Sequence, residues 1–147
     1  MDLKRDYPKL LTMQKQSYQI NFPGSELEEI WFRSALEMAK YDGSVTIYES
    51  GQALVGWLWL TDVSDEALHI RHIQVNQAYW GRGIGRWLVE QAIAAAREMH
   101  KQAVTLNVTK SNLRAMALYH RMGFRTDHDY GERLAMRLEL PIEPNTG

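Results

Sequence analysis

Gly81, Gly83 and Gly85 alternate in the stretch "AYWGRGIGRWLVEQAIAAA", and the residues after them have the pattern of a helix. Glycine at that density weakens a helix by about 1 kcal/mol per residue relative to alanine. The position of these glycines suggests what offsets that cost. The first amides of a helix have no internal partner, and the helix dipole adds partial positive charge at the same end. Residues without side chains let several N–H groups converge on one anion, an arrangement suited to phosphate. Arg82 and Arg86 flank the turn and add the option of charge-assisted contacts.

Two familiar phosphate loops do not match. A P-loop requires Gly-Lys-Ser/Thr, and Ile84-Gly85-Arg86 does not supply it. A dinucleotide fingerprint requires a third glycine three residues after Gly85, where this chain has Leu88. For three alternating glycines alone, a sharp turn without a ligand remains the plain alternative.

The elements around the glycines narrow the choice. Residues 8–20 and 26–40 have helical patterns, the second opening on the capping box Ser25 to Glu28 after Pro23-Gly24. "SVTIYES" and "ALVGWLWLTDV" read as strands around a tight turn, which predicts an antiparallel hairpin. In the third strand, "ALHIRHIQV", Leu68 and Ile70 alternate, as do Ile73 and Val75, but the two pairs are out of phase. One extra residue at Arg71-His72 predicts a β-bulge, which leaves backbone groups open to a ligand. The glycines and a helix over 84–99 follow, then the strand "AVTLNV", a helix from about Asn112 to Met122 ended by Gly123, and a last strand in "ERLAMRLEL". A hairpin followed by interleaved strands and helices predicts an α+β or mixed α/β sheet in one domain.

Composition sets the bounds. The chain has 147 residues, enough for one domain with a real core, and a formal net charge of −1. That balance gives no electrostatic case for a nucleic-acid or membrane partner. With no cysteine, disulfides and thiolate chemistry are excluded. "MDLKRDYPKLLTMQ" lacks the apolar core of a signal peptide, and no apolar run reaches membrane-spanning length. A cytoplasmic protein is the expectation.

The string "HIRHIQVNQAYWGRGIGRWLVEQAIAAA" followed by "LNVTKSNLRAMALYHRMGFR" resembles the GNAT superfamily of acyl-CoA-dependent N-acyltransferases. That family places a [QR]-x-x-G-x-[GA] loop after a bulged strand, here Trp80 through Gly85. Its second block joins an Asn, a Leu-Tyr on a helix, and Gly-Phe, here Asn112, Leu118-Tyr119 and Gly123-Phe124. The resemblance is clear over residues 66–124 and looser from about 44 to 140. It implies a mixed, largely antiparallel twisted sheet, splayed after the third strand and covered by helices on both faces. A helical acceptor-side region over 1–43 would precede a sheet and acetyl-CoA core over 44–140. Two departures stand out: Trp80 replaces the usual Gln or Arg, and only Met1–Lys4 precede the first predicted helix, where the family has a short strand.

By this resemblance, the amides of Gly81, Arg82, Gly83, Ile84, Gly85 and Arg86 would hold the pyrophosphate of acetyl-CoA, the cosubstrate. The backbone of Ile73, Gln74 and Val75 would pair with pantetheine, and Asn112 would contact the pantetheine or diphosphate region. Tyr119 would protonate the departing thiolate, its phenol holding a proton at neutral pH. Ala115, Leu118, Tyr119 and Met122 also follow helical core spacing, so a packed aromatic is the alternative. His69, with an ordinary pKa of about 6.5, is the expected base toward the acceptor amine; His72 and a water chain compete with it. The backbone N–H of Val75 is the expected oxyanion donor.

His69 and His72 have no third ligand at metal spacing, and no metal is expected. "DHD" at 127–129 reads as a polar loop. Trp57 and Trp59 share a strand face and either line the acceptor groove or simply pack. Glu26, Glu28 and Glu29 either attract a cationic amine or serve the helix dipole. The implied reaction is direct acetyl transfer to a primary amine of a small molecule or peptide. A silent acyl-CoA-binding module and a nucleotide-binding protein are the alternatives. Dimers are common in the family, which leaves a homodimer open.

Overall fold

Trp57 and Trp59 point to one face of a strand, Leu58 and Leu60 to the other, and all four are buried. Period-two alternation with both faces apolar requires cover on both sides of the sheet. The computed structural model describes residues 3–21, 43–50 and 53–141, and shows that cover.

Helix α1 (Leu3–Asn21) lays Leu10 and Met13 on Trp57 and Trp59, with Val45 and Ile47 alongside. The strands are β1 (Gly43–Ser50), β2 (Ala53–Asp62), β3 (Ala67–Val75), β4 (Ala103–Thr109), β5 (Arg125–Asp129) and β6 (Arg133–Glu139). Between β3 and β4 comes helix α2 (Ile84–Glu98), and between β4 and β5 helix α3 (Leu113–Arg121). On the face opposite α1, Leu88, Val89, Ala92 and Ala96 of α2 and Tyr119 of α3 join Leu58, Leu60, Leu68, Ile70, Leu106 and Val108 in the main core.

The six strands run in the order β1-β2-β3-β4-β6-β5. All neighbours are antiparallel except β3 and β4, which run parallel. That parallel pair is short. Ala67 to Ile70 face Ala103 to Leu106, and beyond Ile70 the strands no longer pair. The bulge predicted from the phase slip is present: Trp59 faces His72 and Leu60 faces Ile70, so Arg71 has no partner on β2. The slip keeps Ile73 and Val75 on the core side, where they pack against the main cluster.

Two elements depart from the sequence expectation. The first helix, expected over 8–20, begins at Leu3 with Pro8 inside. The missing proline N–H is tolerated because Asp6, Leu10 and Met13 are all buried, so packing outweighs one lost backbone bond. Leu3 and Lys4 are thus helical. The "DHD" segment is not a loop but part of edge strand β5, paired with β6. Every β5 side chain is exposed, so it carries no alternation to detect. The helix expected over 26–40, with Glu26, Glu28 and Glu29, lies outside the described residues.

Candidate functional site

The three glycines serve two different purposes. Gly81 and Gly83 have φ of +80° and +78°, left-handed values that a side chain would strain, and a Cβ on either would meet nothing within 4 Å. Gly85 has no such φ; a Cβ there would touch Leu118 Cδ2 at 3.4 Å. It sits where α2 faces Leu118 of α3 at an ordinary packing distance. Gly83 caps α2 without a side-chain hydrogen bond, and the first helical bond runs from Trp87 N–H to Gly83 C=O at 3.1 Å. The amides of Ile84, Gly85 and Arg86 therefore precede the helical ladder and open from its N-terminus.

Trp80 is tied into this turn. Its indole Nε1–H donates to Val75 C=O at 2.9 Å, and the Arg114 guanidinium lies 4.5 Å from the centre of its ring. Arg82 lies over Tyr79 at 5.2 Å, and Arg86 pairs with Glu90 at 3.1 Å.

The free edge of β3 faces the splay. Asn76 N–H bonds Val55 C=O on the β2 side at 2.7 Å. Backbone groups alternate along a strand, so those of Ile73 and Val75 turn toward the opening and those of Gln74 toward β2. The Gln74 side chain is used on the α1 face, accepting from Trp57 Nε1 at 3.3 Å and donating to Met13 C=O at 2.7 Å. Because Trp80 takes the Val75 carbonyl, the Val75 N–H is the group left toward the splay.

A cleft of about 910 Å³ joins these parts. It runs from Trp80, Gly81, Gly83 to Arg86 and Arg114, past Ile73 to Val75, to Asn112 and Tyr119 on one side and Arg71, His72 and Arg133 on the other. Gly81 through Arg86, the β3 edge, Asn112 and Tyr119 are thus brought together; Arg82 alone of the loop is not in the lining. His69 is not in the lining either.

Tyr119 is held by the way α3 ends. Phe124 N–H bonds Tyr119 C=O at 3.0 Å and Gly123 N–H bonds His120 C=O at 3.1 Å, with Gly123 at φ +99°. This is a Schellman ending, and its usual apolar contact is made by the Tyr119 and Phe124 rings, 5.7 Å apart. Gly123-Phe124 therefore positions the tyrosine. Burial pushes its phenol well above the ordinary range, so it stays protonated. Asn112 begins the same helix, its Oδ1 accepting from Ala115 N–H at 3.3 Å.

The two histidines sit on the α1 face of β3. His69 Nδ1 lies 2.8 Å from Thr105 Oγ1 on β4. Burial lowers its pKa, and the nearby charges of Arg71 and Arg133 lower it further. His72 stacks on Trp57 at 4.5 Å, and burial takes it down to about 4, opposed by a contact with Gln74. Both rings are neutral at pH 7. Trp57 and Trp59 are packed beneath α1 and do not line the cleft. Among the described residues no group of three His, Cys, Asp or Glu side chains suits a metal, and no helix is long and apolar enough to cross a membrane.

Sequence reasoning missed Arg114, Arg133, Thr105 and Gln14. Each reaches the cleft or its neighbours only through the tertiary fold, and no spacing signal marks it.

Comparison with known proteins agrees with this geometry. Residues 7–124 match the model of the acetyltransferase (GNAT) family. The chain is 32% identical over 83 residues to a mycothiol acetyltransferase of Corynebacterium glutamicum (strain R), covering 56% of this chain and 28% of that protein. It is 45% identical over 77 residues to the N-alpha-acetyltransferase MAK3 of Arabidopsis thaliana, covering 49% of this chain and 40% of that protein. These matches span well under half the length of either relative. In fold, it resembles the PaiA N-acetyltransferase of Thermoplasma acidophilum, solved with coenzyme A, at a TM-score of 0.77 and 15% identity, over 92% of this chain and 94% of that one. A family match over most of the chain, joined to a bulged strand, a splay and an open glycine turn, places this protein in the acetyltransferase (GNAT) family.

Proposed function

We propose that the protein transfers an acetyl group from acetyl-CoA to the primary amine of a small molecule or peptide, by direct attack. One observation carries the reading: a single cleft connects the open amides of α2 to the unpaired edge of β3 and ends at a buried tyrosine. A diphosphate fits the first, an amide-bearing chain the second, and a departing thiolate the third. Relatives named as acetyltransferases, and a structural neighbour solved with coenzyme A, support the same assignment.

In this reading the amides of Gly81 to Arg86 hold the pyrophosphate, with Arg86 and Arg114 adding charge from the cleft lining. Ile73 pairs with the pantetheine arm through its open backbone groups, and Gln74 holds that edge in place from the α1 side. Asn112 shapes the far wall beside the arm. The amine nitrogen attacks the thioester carbonyl, the C–N bond forms, and the C–S bond breaks. The Val75 N–H stabilises the oxyanion, and Tyr119 gives its proton to the thiolate. The amine proton leaves toward His69, which lies outside the cleft lining and receives it through water. His72 is the poorer base, since burial holds its pKa near 4.

Calorimetry with acetyl-CoA, CoA and ATP tests the cosubstrate, and thiol release over an amine library tests the reaction. Tighter binding of ATP than of acetyl-CoA would overturn the reading in favour of a nucleotide site. Binding of acetyl-CoA without turnover of any amine would leave a silent acyl-CoA module.

A further inference from the structure

The acceptor end of the cleft has a definite charge. Arg71, the bulge residue of β3, stretches its guanidinium over Trp59 on the α1 face, 4.4 Å from the ring centre. Arg133 opens β6, where Leu134 and Met136 enter the main core, so alternation turns Arg133 to the α1 face as well. Both line the cleft. Among the described residues neither has a carboxylate partner, although Arg5, Arg86, Lys101, Lys110 and Arg137 are all ion-paired. No aspartate or glutamate among the described residues lines the cleft.

Two unpaired guanidiniums beside a reaction centre repel a polycation and suit a planar anion, which an arginine grips through two parallel hydrogen bonds. The phosphate end of the cleft is served separately by the α2 amides and by Arg114 on Trp80. A third feature faces the same space. Gln14 of α1 lines the cleft, and its carboxamide oxygen is buried without a hydrogen-bond partner among the described residues. It is an acceptor suited to an N–H of the incoming amine.

We propose that the acceptor is a small amine bearing a carboxylate, an amino-acid-like molecule whose carboxylate is held by Arg71 and Arg133 and whose nitrogen is met by Gln14. This rests on the acetyltransferase reading above and narrows its acceptor. The arginines act as specificity-determining residues: each carboxylate bond is charge-assisted, and an amine lacking the carboxylate leaves them unfilled. Lysine-rich peptides and polyamines would be poor acceptors, because like charges oppose their approach.

The test uses the full chain with saturating acetyl-CoA and follows thiol release. Probes are α-, β- and γ-amino acids, each paired with its carboxamide, with spermidine as a polycation. At least one amino acid should exceed its amide about tenfold or more in kcat/KM. Arg71→Gln and Arg133→Gln should each raise KM for that acid about tenfold, shrink its kcat/KM advantage over the amide by a similar factor, and leave KM for acetyl-CoA unchanged. Arg71→Lys should restore part of the loss. Amides or spermidine turned over as well as the acids would overturn the proposal, as would a panel in which no acid reacts. A rise in KM for acetyl-CoA would instead assign the arginines to its phosphates and also overturn it. Calorimetry of acetyl-CoA separates the two levels: no binding refutes the acetyltransferase reading, while binding with turnover of neutral amines refutes only the carboxylate.

Discussion

Trp80 donates its indole N–H to the Val75 carbonyl at 2.9 Å and carries Arg114 on its ring at 4.5 Å. One side chain thereby joins the glycine turn, the end of β3 and the first turn of α3. The usual Gln or Arg at this position would bring its own polar group; here the cation comes from another helix and tryptophan supplies its seat. Trp80→Phe keeps the ring under Arg114 and loses the hydrogen bond, so acetyl-CoA affinity should fall about threefold. Trp80→Ala removes both and should cost about tenfold. Equal affinities for both variants and the parent, measured by calorimetry, would deny the residue this role.

Tyr119→Phe removes one oxygen and leaves the contact with Phe124 intact. We expect kcat to fall about a hundredfold or more, with unchanged affinity for CoA and a melting temperature close to that of the parent. Because burial raises the phenol pKa, ionisation of Tyr119 should take no activity away up to about pH 10. An unchanged kcat would return the residue to the core.

The glycines should separate by backbone rather than by volume. Gly83→Ala places a side chain at φ +78°, which should cost about 1 kcal/mol or more and weaken acetyl-CoA binding as the turn shifts. Gly85→Ala meets only an ordinary contact with Leu118 and gains helix propensity, so its melting temperature should be equal to or above the parent's. Thermal melts of the two variants side by side decide the matter; a greater loss for Gly85→Ala would contradict the assignment.

Stability should fall in mild acid. The unfolded chain protonates its histidines near pH 6.5, while folded His72 stays neutral until about pH 4. The unfolded state therefore binds more protons in that window, and folding stability is lost as pH drops through it. His69 acts in the same direction. His72 contributes at most about 3 kcal/mol, less for the solvent that reaches it. Denaturant midpoints at pH 7 and pH 4.5 should differ less in His72→Phe, which keeps a ring on Trp57. The same difference in both proteins would refute the cause.

The phase slip at Arg71-His72 is the clearest case of structure legible in the chain. Period-two alternation is local, so one extra residue shows in the letters themselves, and the structure has its bulge there. The Asn112, Tyr119 and Gly123-Phe124 block is legible for a similar reason: capping and a Schellman ending are written within one helix and its flanks. Strand β5 was not legible, because an edge strand with every side chain exposed has no apolar face to reveal it. Nor was the start of α1, where burial of Asp6, Leu10 and Met13 overrides the signal of Pro8.

The sequence by itself determined the glycine turn, the bulge and the strands other than β5, which follow from backbone preference and short-range periodicity, while the type of chemistry followed from the resemblance to a known family. Only the tertiary structure decided which distant side chains meet: Arg114 on Trp80, Thr105 beside His69, and Arg71 with Arg133 at the far end of the cleft. Those meetings depend on the pairing of β3 with β4 and β6 with β4, and on helices packed across the sheet. Register and packing are settled by the whole core at once, so no local stretch of residues encodes them.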